Sequence, residues 1–68
     1  MSKHVERMKA EHKELTIKTN TLNSFIFSSP LFKELEHSEQ IRMIQQSTFM
    51  EAYSSVLEQR IWVAIENG

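Results

Sequence analysis

Val5, Met8, His12, Leu15, Thr19, Leu22 and Ile26 follow one another at alternating steps of three and four residues. That spacing is a heptad seam, which predicts a long helix that packs against other helices. Its polar members, His12 and Thr19, both fall at the a-type position, where a polar side chain fixes register and copy number at some cost in stability. The seam therefore predicts a chain that assembles with other copies, His12 hydrogen-bonded across the interface and Thr19 bonded to a neighbouring backbone or helix, both reading as register devices. The first helix is expected over about residues 2–27, with Ser2 as its N-cap.

Ser28-Ser29-Pro30 interrupts the pattern. Serine followed by proline at the first helical position is a restart signal, so a short helix is expected over 30–36 with Leu31, Phe32 and Leu35 on its buried face. His37-Ser38 reads as a second break, with Ser38 capping a final helix over 39–66 and Glu39 at its positive end. In that helix Ile41, Ile44, Met50, Tyr53, Leu57, Ile61 and Ala64 form the expected apolar stripe, which Phe49, Val56 and Ile65 widen. Each long helix would span about 40 Å. Two antiparallel helices and a short link cannot enclose stripes this wide, so the expected fold is an all-α protomer, one helical domain over 1–68, built into a homo-oligomeric bundle.

Size and charge narrow the picture. With 68 residues the chain is near the lower limit for a single core, and without cysteine it has neither disulfides nor thiolate metal sites to stabilise it. The first residues carry no signal-peptide core and no apolar run is long enough to span a membrane, which leads to an expectation of no membrane partner. A formal net charge of -1, with both signs interspersed, argues against a binder of duplex DNA or RNA. It leaves room for a small anion, which two or three placed cations can hold.

Enzyme signatures are absent: no glycine-rich phosphate loop, no Cys-His pair, no His-Glu-x-x-His motif. His4, Glu11 and His12 are too ordinary a set to predict a metal, and no cofactor is expected. His4 and Lys18 lie about four turns apart and share a helix face, with Arg7 one turn from His4 on the same side. In one chain His4 and Lys18 are about 21 Å apart, too far to grip one small ligand. In an antiparallel pair of chains His4 of one meets Lys18 of the other; otherwise all three are solvated surface residues. Arg60 lies in the last apolar stripe, where it either pairs with a carboxylate across an interface or reaches an anion. Tyr53 shares its face and either fills a core or stacks a base, and Trp62 reads as an interface anchor.

The ordered series Glu11, Leu15, Leu22, Phe25-Ile26, Phe32, Leu35, Glu39, Gln45, Met50, Tyr53, Leu57 and Arg60-Ile61 resembles a family of very short helical phage proteins, the anti-CBASS cyclic-nucleotide sponges. The resemblance runs from about His4 to Ile61, and Phe-Ile, Met-x-x-Tyr and Arg-Ile in that order are its most specific part. It implies a homohexamer that sequesters cyclic dinucleotides, and cyclic trinucleotides at separate pockets, without cleaving them. In the host cytoplasm this would keep CBASS effectors inactive. It also implies roles: His4 at the position of a base-stacking aromatic, Lys18 at that of a phosphate-contacting lysine, and Arg60 in the trinucleotide pocket. His4 departs from the family's aromatic and offers less stacking area. The competing expectation is a small helical adaptor that binds a host or phage protein and has no nucleotide ligand.

Overall fold

The computed structural model describes residues 2–67 as three helices: α1 (Lys3–Ser28), α2 (Pro30–Glu34) and α3 (His37–Asn67). Together they form a hairpin 48 Å long and only 15 and 13 Å across. Ser2 caps α1, its side chain accepting the Val5 N–H at 3.3 Å.

Ser29 makes the corner. Its N–H donates to the Phe25 carbonyl at 3.1 Å, closing α1, while its hydroxyl accepts the Leu31 N–H at 3.2 Å, opening α2. Pro30 starts α2, where a missing N–H costs nothing. Phe25 and Phe32 then meet edge to face across the corner, ring centroids 6.1 Å apart, and Phe32 is buried. This geometry turns the chain back on itself.

Two boundaries differ from expectation. The short helix stops at Glu34, and the last helix begins at His37 rather than 39, with Ser38 inside its first turn. The Glu36 carbonyl starts α3 by accepting from the N–H groups of both Glu39 and Gln40 at 3.0 Å. The Gln40 side chain reaches back to donate to the Leu35 carbonyl at 2.9 Å, so a glutamine ties the link down where a serine cap was expected.

The α1 seam is real, but its partner is not a second chain. Val5, Met8, Leu15 and Thr19 are buried, and His12, Leu22 and Ile26 half-buried, against α3 of the same protomer. The expectation that this seam joins copies is therefore corrected. Its facing strip on α3 is Gln40, Met43, Ser47, Met50, Ser54, Leu57, Ile61 and Ala64, again at steps of three and four, every member buried or half-buried. Of the expected α3 stripe, Met50, Leu57, Ile61 and Ala64 turn inward, whereas Ile41, Ile44 and Tyr53 are exposed. Leu57, fully buried, joins Val5 and Met8 in the core at the open end of the hairpin, with Ile61 and Ala64 packed beside them.

Polar rungs hold the rest. His12 Nε2 lies 3.2 Å from Ser54 Oγ and 3.9 Å from Glu58 Oε2. Ser47 Oγ lies between Asn23 Oδ1 and, at 3.1 Å, Glu51 Oε1, two acceptors that share its one proton. Thr19 turns its hydroxyl onto its own helix, donating to the Leu15 carbonyl at 2.7 Å. His12 thus fixes register inside the hairpin, as a seam histidine does between helices, and Thr19 satisfies itself.

Candidate functional site

Lys3 to Ser28 form one unbroken helix, so residues seven apart stay on nearly the same face and hold fixed separations along the axis. His4, Glu11 and Lys18 are such a series, and Arg7 flanks it. All four are exposed. The His4–Lys18 separation along this rigid rod is about 21 Å, so one protomer does not bring them together. Among the described residues none of His4, Arg7 or Lys18 has an ion-pair or side-chain hydrogen-bond partner. An imidazole and two cations are thus presented outward from a stiff element, an arrangement that needs a second surface to become a pocket.

Glu11 stands midway between His4 and Lys18 on that face. Its carboxylate lowers the local positive potential, and in any two-fold pairing of His4 with Lys18 two copies of it come to the centre. A carboxylate there repels phosphate but accepts from the N–H edge of a base.

Arg60 is exposed on α3 beside a shallow groove lined by Val56, Gln59, Val63 and Ala64. No carboxylate pairs with it among the described residues. One end of the same face carries a second open groove, about 420 Å³, lined by Arg42, Gln45, Gln46, Phe49, Met50 and Tyr53. That volume falls in the range of small-ligand sites. Phe49 is 71% exposed and Tyr53 46%, so Tyr53 is not part of the protomer core. Arg42 and Phe49 were not singled out as site residues from the sequence; the available signal was their spacing from Tyr53 and Arg60. Trp62 is exposed as well.

On one flank of the hairpin a narrow polar groove is lined by Thr16, Thr19, Asn20, Glu51 and Ser54. It contains no cation, and Thr16 and Thr19 spend their hydroxyl protons on carbonyls of α1. Among the described residues no three His, Asp or Glu side chains stand close enough to hold a metal ion, and His4, Glu11 and His12 form no such group. No helix there is long and apolar enough to cross a membrane.

A family model described as Sequestin matches residues 2–63, which takes in the corner, the α1 seam, the α3 strip up to Ile61 and the residues His4, Arg7, Lys18, Arg42 and Arg60. The chain belongs to the Sequestin family. No curated protein and no solved structure matches it. The family name denotes sequestration. In this Sequestin member, the matched span ends beyond Arg60 and Trp62 and short of the last helical turn of α3.

Proposed function

We propose that this Sequestin member is a phage-encoded sponge, a homohexamer in the host cytoplasm that holds cyclic oligonucleotide messengers without cleaving them and so blocks CBASS signalling. The observation that supports the reading most is the set of exposed, unpartnered side chains His4, Arg7 and Lys18 on one rigid helix face, split too widely for a single protomer to use. The family name, which denotes sequestration, supports it at a coarser level.

A cyclic dinucleotide is close to two-fold symmetric, so an isologous pairing of α1 faces offers each half of the ligand the same His4 and Lys18. Lys18 would hold phosphate, His4 would stack on a base, and Arg7 would add charge at the rim. Each charge-assisted contact contributes about 1.5–3 kcal/mol and each stacked base about 1–3 kcal/mol. Two of each give about 5–12 kcal/mol, which spans dissociation constants from about 0.2 mM to a few nanomolar with micromolar binding at the centre. No general base or nucleophile is required, and release would be by dissociation of the intact ligand. Arg60 would serve cyclic trinucleotides at a separate pocket.

Isothermal titration with 3′,3′-cyclic GMP-AMP and with a cyclic triadenylate, alongside a mononucleotide, tests this. Saturable heat and recovery of unchanged cyclic ligand after denaturing the protein are expected. Silence with every cyclic nucleotide, or tighter binding of the mononucleotide, would sink the reading. Lys18→Glu should abolish dinucleotide binding while leaving the assembly intact by sedimentation. The rival, a helical adaptor without a nucleotide ligand, draws on the exposed apolar side chains of α3, Phe49, Val56 and Val63 among them. It predicts a flat titration and a protein partner instead.

A further inference from the structure

The outward face of α3 is a near-palindrome. Arg42, Gln46, Phe49, Tyr53, Val56 and Arg60 follow at steps of 4, 3, 4, 3 and 4, centred on residue 51. Their chemistry reads cation, spacer, aromatic, aromatic, spacer, cation in either direction. Arg42 and Arg60 are about five whole turns apart, which puts them on the same line along the helix, about 27 Å from each other. All six side chains are exposed, although their spacing matches that of the inner seam which α1 covers. A helix with heptad spacing on two faces is built to be held between two neighbours, and within the protomer only one is supplied.

We infer that this face pairs with the same face of a second copy, antiparallel, about a two-fold axis near residue 51, and that each end of the pair forms a phosphate site from Arg60 of one chain and Arg42 of the other. Reversal about residue 51 sets Phe49 against Tyr53, Gln46 against Val56 and Arg42 against Arg60, so the aromatics meet at the centre and each end brings two arginines together. At 71% and 46% exposure, Phe49 and Tyr53 leave on the order of 200 Å² of aromatic surface open per copy. Pairing covers that twice, roughly 400 Å² of the approximately 1,000 Å² a specific interface needs, and Val56 with the arginine stems extends it.

The arginines at the ends give this surface its chemistry. Arg42 Nε donates to Glu39 at 2.9 Å, which orients the guanidinium and leaves its outer nitrogens without a partner among the described residues. Arg60 has no partner there either. Two guanidiniums facing one another with a single carboxylate leave a net positive charge, and a phosphate accepting from both relieves it. This deepens the assignment of Arg60 to an anion pocket, adding Arg42 of the neighbouring copy as the residue that completes it.

Because the protein has no cysteine, disulfide trapping reports only on introduced thiols. Gln46→Cys chains mixed with Val56→Cys chains should cross-link at least tenfold faster than either variant alone, and faster still in inorganic phosphate than in chloride at matched ionic strength. Equal self-cross-linking of each variant would mean parallel pairing, and no cross-linking would mean an open face; either overturns the inference. Arg42→Glu added to the Gln46→Cys and Val56→Cys chains should keep cross-linking fast, since the introduced carboxylate meets Arg60, but remove the phosphate effect. A phosphate effect that survives it refutes the shared site. Helical content by circular dichroism checks that each variant is folded. The dinucleotide titration can succeed or fail independently of this result, because it reads the α1 face.

Discussion

Leu57→Ala separates the core of the protomer from its exposed outer face. Leu57 is 0% exposed and sits between Val5 and Met8 with Ile61 and Ala64 alongside. Removing a fully buried leucine side chain costs about 2–5 kcal/mol, and a thin hairpin that relaxes around the gap belongs near 3 kcal/mol. A domain of this length is stabilised by only about 3–10 kcal/mol, so the loss is a large fraction of the total. For a chain of this size it lowers the melting temperature by about 12–24 °C. Val56, the preceding residue, is 53% exposed on the outer face of α3, so Val56→Ala costs under about 0.5 kcal/mol in a lone protomer. Thermal melts by circular dichroism, at two concentrations a hundredfold apart, give both numbers. Leu57→Ala should fall by the stated margin at both concentrations. Val56→Ala should match the parent when dilute and lag behind it when concentrated, where self-association adds stability. A drop of less than about 5 °C for Leu57→Ala, or equal drops for both variants in dilute solution, would refute the assignment of inner and outer faces.

The remaining predictions concern polar positions. Glu11→Gln should tighten cyclic dinucleotide binding about fivefold at low salt, since it removes a carboxylate some 8–10 Å from the phosphates, about 1 kcal/mol; weaker binding would mean that Glu11 accepts from a base. His4→Tyr should tighten the same ligand up to about tenfold through added stacking area and leave the trinucleotide unaffected, by titration of each. Ser47→Ala should cost about 1–2 kcal/mol in chemical denaturation because it strands the half-buried Asn23 amide, whereas Thr19→Val should be neutral or stabilising, its hydroxyl serving only the Leu15 carbonyl of its own helix. Equal losses at the two positions would count against the rungs as register devices.

The α1 half of the hairpin was legible because its seam is mostly apolar: Val5, Met8, Leu15, Leu22 and Ile26 mark the buried face with only His12 and Thr19 to bridge. The α3 half was not. Its buried strip passes through Gln40, Ser47 and Ser54, and a reading keyed to hydrophobicity moved to Ile41, Ile44 and Tyr53, which face out. The serines are inside because His12 and Asn23 of α1 need partners opposite them, a pairing that only the folded hairpin displays. Ser29-Pro30 announced the corner, since both residues act through local backbone geometry. His4, Arg7, Lys18 and Arg60 could be named from charge and spacing, but the protomer leaves them exposed and apart. Arg42 escaped notice because i to i+3 pairing with Glu39 makes it look like an ordinary surface ion pair.

The straightness of α1 has a consequence for dose. A ligand site whose halves stand about 21 Å apart on one stiff rod exists only where two rods meet. In dilute solution the number of such sites would grow at least as the square of the amount of chain synthesised, and more steeply for a hexamer, then linearly once assembly is complete. For the proposed sponge, trapping capacity would therefore have an onset: a few copies would hold back almost nothing, and a modest further rise in expression would bring the whole population into use.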